Sequence, residues 1–100
     1  MQYFHDSTQR TPRQTVPGVT IRTFWGDRML LALIDLAPGA VIPPHSHPHE
    51  QVGTLVAGEM EMTVGGETHM VRVGDVYVVP GDVVHTVTVG AAGAQAVDGP

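Results

Sequence analysis

The chain has 100 residues, 42% hydrophobic and 15% charged, enough for one domain with a single core and too apolar for a disordered segment. Acids outnumber bases ten to five, and the bases, Arg10, Arg13, Arg22, Arg28 and Arg72, form no stripe, which argues against a nucleic acid or an anionic membrane as partner. The absence of cysteine removes disulfides, thiolate metal sites and Cys nucleophiles, and the longest apolar run, Met29 to Ile34, is far too short to span a bilayer, so the cytoplasm is the expected address.

Residues 1–18 carry Gln, Thr, Arg and two prolines with little periodicity, and read as an N-terminal arm ahead of a domain over residues 19–100. Val19 to Trp25 is β-branched and aromatic with a period of two, and Gly26-Asp27 follows as a two-residue hairpin signal. Met29 to Leu36 has the composition of a helix, but its eight residues lie between Gly-Asp and a Pro38-Gly39 type II turn, and that length predicts a strand. Further strands are predicted at 52–57, 59–64, 67–73, 76–79, 83–89 and 94–97, separated by Gly58, Gly65-Gly66, Gly74-Asp75, Pro80-Gly81-Asp82 and a Gly-Ala tract. Met60, Met62 and Val64 share one face and are expected in the core, with Val76 and Val78. Trp25 and Tyr77 are expected to pack in the core or an interface. Eight or nine short strands with glycine turns and no 3.6-residue period imply an all-β sandwich or small barrel.

Chemistry concentrates between Gly39 and Gly58, where His45, His47 and His49 fall within five residues. Strand residues two apart point the same way, so one strand carrying His45 and His47 would aim two imidazoles at one point. Gln51 offers a neutral carbonyl oxygen, and His85 closes a second glycine-led segment, Gly74 to His85. Glu50 should point away from Gln51, and His5 and His69 read as surface residues.

These two segments resemble the motifs of the cupin family, small jelly-roll β-barrels of two antiparallel sheets with a metal in the cavity. Gly39, His45, His47 and Gly58 stand in the register of the first motif, with Gln51 at its Glu position. Gly74, Pro80 and His85 stand in the register of the second, with Asp82 at a Gly position and Val89 at an Asn position. The resemblance implies one divalent transition metal (Zn, Ni, Mn, Fe or Cu) on His45, His47, Gln51 and His85. The run His-x-His-Pro-His-Glu-Gln is similar to the small pectin-degradation cupins, which open unsaturated uronic acids and use Gln as the fourth ligand. Their last strand carries an Asp-x-Phe-x-Pro-x-x-Arg-like stretch; Asp98 matches its acid, and no Phe or Arg follows.

The expected function is metal-assisted, redox-neutral isomerisation, tautomerisation or lysis of a small oxygen-rich molecule such as a sugar acid. A metal-dependent dioxygenase and a non-catalytic binding module are the alternatives. Asp98, Tyr77 and His49 are the candidates for moving a proton beside the metal. A barrel of this size has strand edges and an apolar outer face to cover, and cupins of this size commonly pair, so a homodimer with part of the arm crossing to its partner is expected.

Overall fold

The computed structural model describes residues 2–99. After a short 3-10 turn at Ser7–Gln9, the chain forms β1 (Arg13–Val16), β2 (Val19–Trp25), β3 (Leu30–Leu36), β4 (Val41–His45), β5 (Gln51–Val64), β6 (Glu67–Arg72), β7 (Val76–Val79) and β8 (His85–Gly99). All pairings among the described residues are antiparallel. The fold is the all-β architecture expected, and the eight residues 29–36 do form a strand rather than a helix.

Two long strands hold the two sheets together. The sequence pattern predicted four short strands where β5 and β8 run for 14 and 15 residues. Gly58 and the Gly-Ala tract bend these strands instead of ending them, with register shifts between Leu55 and Ala57 and between Gly58 and Met60. On one side of the bend, Ala94–Gly99 of β8 lies between β3 and Val52–Gly58 of β5, giving a sheet ordered β1-β2-β3-β8-β5-β7. On the other side, His85–Val89 lies between β4 and Met60–Val64, giving a sheet ordered β4-β8-β5-β6. The inner faces of both sheets enclose the core, where Leu55 and Val79 are the largest fully buried side chains.

Some local expectations hold and others shift. Gly65-Gly66 is a two-residue hairpin with φ of 57° and 83°, the paired positive values that glycine tolerates and a type I′ turn requires. The β2–β3 connection is longer than predicted. Trp25 pairs with Leu30, and residues 26–29 form a loop in which the Gly26 N–H donates to the Met29 carbonyl at 2.8 Å. Inside the segment expected as an arm, β1 pairs with β2, and the Arg10 carbonyl accepts from Arg22 Nε at 3.1 Å.

Met60 and Met62 are buried as expected, but Val76 and Val78 are 67% and 53% exposed, while Tyr77 and Val79 point inward. The run Val-Tyr-Val-Val is apolar at every position, so alternation could not assign its inner face. The buried partner of Tyr77 decides it. Trp25 is not packed in the core either: it is 63% exposed, with the Arg10 guanidinium 5.6 Å from its ring centroid.

Candidate metal centre

His45 ends β4 and is the register partner of His85, the first residue of β8. His47 lies beyond the strand, not on it as strand alternation had suggested. Pro43 and Pro44 deprive β4 of two N–H donors, and the pairing slips between Ile42 and His45. The loop still returns His47 to the cluster. The Asp82 N–H donates to the His47 carbonyl at 2.7 Å, tying the loop to the turn before β8. Asp82 has φ of 64°, the one positive value at a non-glycine among the described residues, so the Gly position of the second motif is a left-handed one that Asp tolerates.

One ring nitrogen from each of His45, His47 and His85 lies within 4.8 Å of the other two. Their centroids are 4.1 Å apart for His45–His85, 4.8 Å for His47–His85 and 5.8 Å for His45–His47. Each ring is locked the same way. Nδ1 of His45 faces the Pro43 carbonyl at 2.9 Å, Nδ1 of His47 the His49 carbonyl at 2.8 Å, and Nδ1 of His85 the Val83 carbonyl at 3.0 Å. A carbonyl only accepts, so each Nδ1 carries a proton, and in the neutral ring Nε2 is then the nitrogen free to ligate. Three imidazoles at this spacing suit a divalent transition metal, and the backbone carbonyls are the outer partners that hold ligating imidazoles in one orientation. Burial of His85, 3% exposed, pushes its pKa below the ordinary imidazole value and favours the neutral, ligating form.

Beside the imidazoles sits a buried carboxylate. Asp98 is 4% exposed and accepts from the Tyr77 hydroxyl through Oδ1 and from the Gln51 amide nitrogen through Oδ2. Because Asp98 holds the NH2 end of Gln51, the carbonyl oxygen is the uncommitted end of that amide. Burial raises the Asp98 pKa, against the lowering effect of the two hydrogen bonds and of His85. Burial, and then the charge of Asp98, push the Tyr77 phenol far above its usual value, so it stays a hydrogen donor.

The Asp98–Tyr77 contact depends on Gly53, which sequence reasoning passed over. Asp98, Gly53 and Tyr77 form one cross-strand row over β8, β5 and β7. A Cβ at Gly53 would stand 2.6 Å from the Tyr77 hydroxyl oxygen and closer still to Asp98 Oδ1. A lone glycine inside a strand pattern is a signal of such close approach. Gly53→Ala is expected to part the pair and cost about 1–3 kcal/mol of stability, as overpacking does. Ultraviolet titration checks the separation: with Tyr3 the only other tyrosine, the Tyr77 phenolate should appear at lower pH in the variant.

The cluster opens into a cavity of about 670 Å³, within the usual range for small-molecule sites. Its walls are apolar, from Ile21, Ile34, Leu36, Met60, Met62 and Val87, and its polar end carries the three imidazoles, Gln51, Tyr77 and Asp98. His49 is exposed at the rim, its ring stacked on His47 at 4.2 Å. Glu50, His5 and His69 are exposed, and none of them lines the cavity. Arg13, Thr15 and Val16 of β1 also line it, none of which the sequence had marked as functional.

The cupin domain family matches residues 32–97. Among curated proteins, the pectin degradation protein KdgF of Dickeya dadantii (strain 3937) is 29% identical over 75 residues, which cover 74% of this chain and 68% of that protein. Germin-like protein 3-1 of Oryza sativa subsp. japonica is 30% identical over 89 residues, 83% of this chain but only 37% of that protein. Among solved structures, KdgF from Halomonas sp. superposes with a TM-score of 0.87 at 22% identity, over 99% of this chain and 92% of that one. An RmlC-like cupin from Shewanella frigidimarina NCIMB 400 superposes with a TM-score of 0.88 at 24% identity, over 99% and 89%. At such identities the structural likeness speaks for the fold alone.

Proposed function

Because the chain belongs to the cupin family, we propose that it is a metal-dependent isomerase or lyase acting without net redox change on a small oxygen-rich acid of the sugar-acid class. The observation that carries this reading is the placement of three imidazoles and a buried carboxyl at one end of an apolar cavity. The relation to a pectin degradation protein gives the substrate class its weight.

His45, His47 and His85 would hold the metal through Nε2, and Gln51 would add its carbonyl oxygen. A divalent metal held there supplies Lewis acidity toward a carbonyl, carboxylate or enol oxygen. All four ligands are neutral, so none adds negative charge that would favour a higher oxidation state. Asp98 takes or returns the proton at a carboxylate oxygen, and its raised pKa brings it nearer the operating range of a general acid–base group. Tyr77 and Gln51 fix the carboxylate plane by donating to its two oxygens.

The test combines metal analysis of the purified protein with a panel of 4,5-unsaturated uronates and 1,3-dicarbonyl acids, following substrate loss and oxygen uptake together. Turnover without oxygen uptake, weakened in Gln51→Glu, is the expected result. Stoichiometric oxygen consumption would replace this reading with a dioxygenase.

The same reading includes a homodimer. Val52, Val56, Val76 and Val78 are 42–67% exposed on β5 and β7, an apolar stripe suited to a second copy. Ahead of β1, Tyr3 and Phe4 are 81% and 88% exposed and would be the part of the arm that reaches the partner. Sedimentation should give a dimer, and Val76→Glu with Val78→Glu should give monomer; a monomeric wild type would exclude the assembly.

A further inference from the structure

One charged side chain on the cavity wall, Arg13, has no part in metal binding or proton transfer. Of the five arginines, only Arg13 lines the cavity. Arg22 pairs with Asp35 at 2.9 Å, Arg10 lies over Phe24, and Arg28 and Arg72 stand near Asp27 and Glu59 on the surface. Among the described residues, the Arg13 side chain has neither an ion pair nor a hydrogen bond.

Its direction follows from register. Arg13 pairs with Ile21, Ile21 with Ile34, and Ile34 with Ala96, a row whose side chains all line the cavity. Asp98, two residues beyond Ala96 on the same face of β8, also lines it. A register shift between Gln14 and Val16 then turns two consecutive side chains, Thr15 and Val16, toward the cavity. Such bulges re-aim side chains beside binding sites. The result is a guanidinium and a hydroxyl, both solvent-exposed, on an edge of the cavity whose polar end carries the imidazoles.

We propose that Arg13, with Thr15 beside it, binds the carboxylate of the substrate and orients the acid with its reacting oxygens toward the imidazole end. The guanidinium fork matches a carboxylate with two parallel N–H···O bonds, and Thr15 Oγ1 adds a donor for a neighbouring hydroxyl. Sugar acids carry a carboxylate and several hydroxyls on one small molecule. Arg13 is thus a specificity residue, and the assignment rests on the cavity being the substrate site of the proposed function, though not on turnover.

The test is binding of D-galacturonate against D-galactose, two probes differing at the carboxylate, to the full chain as purified, by calorimetry. Wild type should prefer galacturonate by at least about tenfold, the scale of a charge-assisted hydrogen bond. Arg13→Gln should abolish the preference and leave galactose affinity, metal content and melting temperature unchanged, while Arg13→Lys should keep part of it. Full preference in Arg13→Gln would overturn the proposal, as would a wild type with no preference or no binding of either sugar. An Arg13-dependent preference in a protein that turns over nothing would sink the isomerase reading and leave this one standing.

Discussion

Substituting His85 or His45 by alanine is expected to abolish tight metal binding and to remove the stabilisation that the metal confers. At a metal concentration 100 times its dissociation constant, that stabilisation is about 2.7 kcal/mol, or roughly 10–20 °C in melting temperature for a domain of this size. The two variants separate metal loss from packing loss. His85 is 3% exposed, so His85→Ala also leaves a void and should melt lower even without metal. His45 is exposed, and His45→Ala should differ from wild type only when metal is present. Melting curves with and without chelator, beside metal analysis, give both comparisons. Unchanged metal content in both variants would mean that the site lies elsewhere. Protons should mimic these substitutions: the three Nε2 atoms must be unprotonated to ligate, so affinity should fall as pH drops through about 6.5. Burial keeps His85 in its neutral, ligating form to lower pH than an ordinary imidazole.

The histidine cluster was legible in the sequence because the glycine and histidine spacing of two motifs carries it, and spacing survives errors in strand assignment. His47 illustrates this. It was expected on a strand and stands in a loop, yet it meets His45 and His85 because Asp82 ties that loop down. Hairpin turns were legible where φ demands glycine, as at Gly65-Gly66. Strand parity was not legible where every side chain is apolar, so Val76 and Val78 were placed inside when Tyr77 faces inward to meet Asp98. Nor could glycine alone reveal whether it ends a strand or bends it. Gly58 and the tract from Gly90 to Gly93 bend β5 and β8, because the pairing between the two strands resumes on the far side of the bend after a register shift. The cavity edge formed by Arg13 and Thr15 was hidden for a third reason. Four polar-rich residues between two prolines become a strand only when β2 is there to pair with them.

Asp98→Asn should give opposite signs in activity and stability. If Asp98 moves the proton, turnover should fall by about a hundred- to ten-thousand-fold, the usual worth of a positioned acid–base group. The asparagine carbonyl can keep the bond from Tyr77, but its NH2 would face the NH2 of Gln51 until that amide turns over. Turning it over would take the Gln51 carbonyl away from the metal, so metal affinity should weaken as well, with the three imidazoles still able to bind. Stability of the metal-free protein should move the other way. Burial raises the Asp98 pKa in the fold above its unfolded value, near 3.9, so the native state favours the protonated group. The favourable contribution of Asp98 is then fullest below the unfolded pKa and is lost as pH rises through the folded one. At neutral pH the wild type carries the cost of a buried charge that asparagine does not. Metal-free Asp98→Asn should therefore melt higher than wild type at neutral pH, with the gain shrinking toward about pH 4. A variant that retained wild-type turnover would pass the proton step to Tyr77 or His49. One that melted lower at every pH would show that the two hydrogen bonds to the carboxylate outweigh its desolvation.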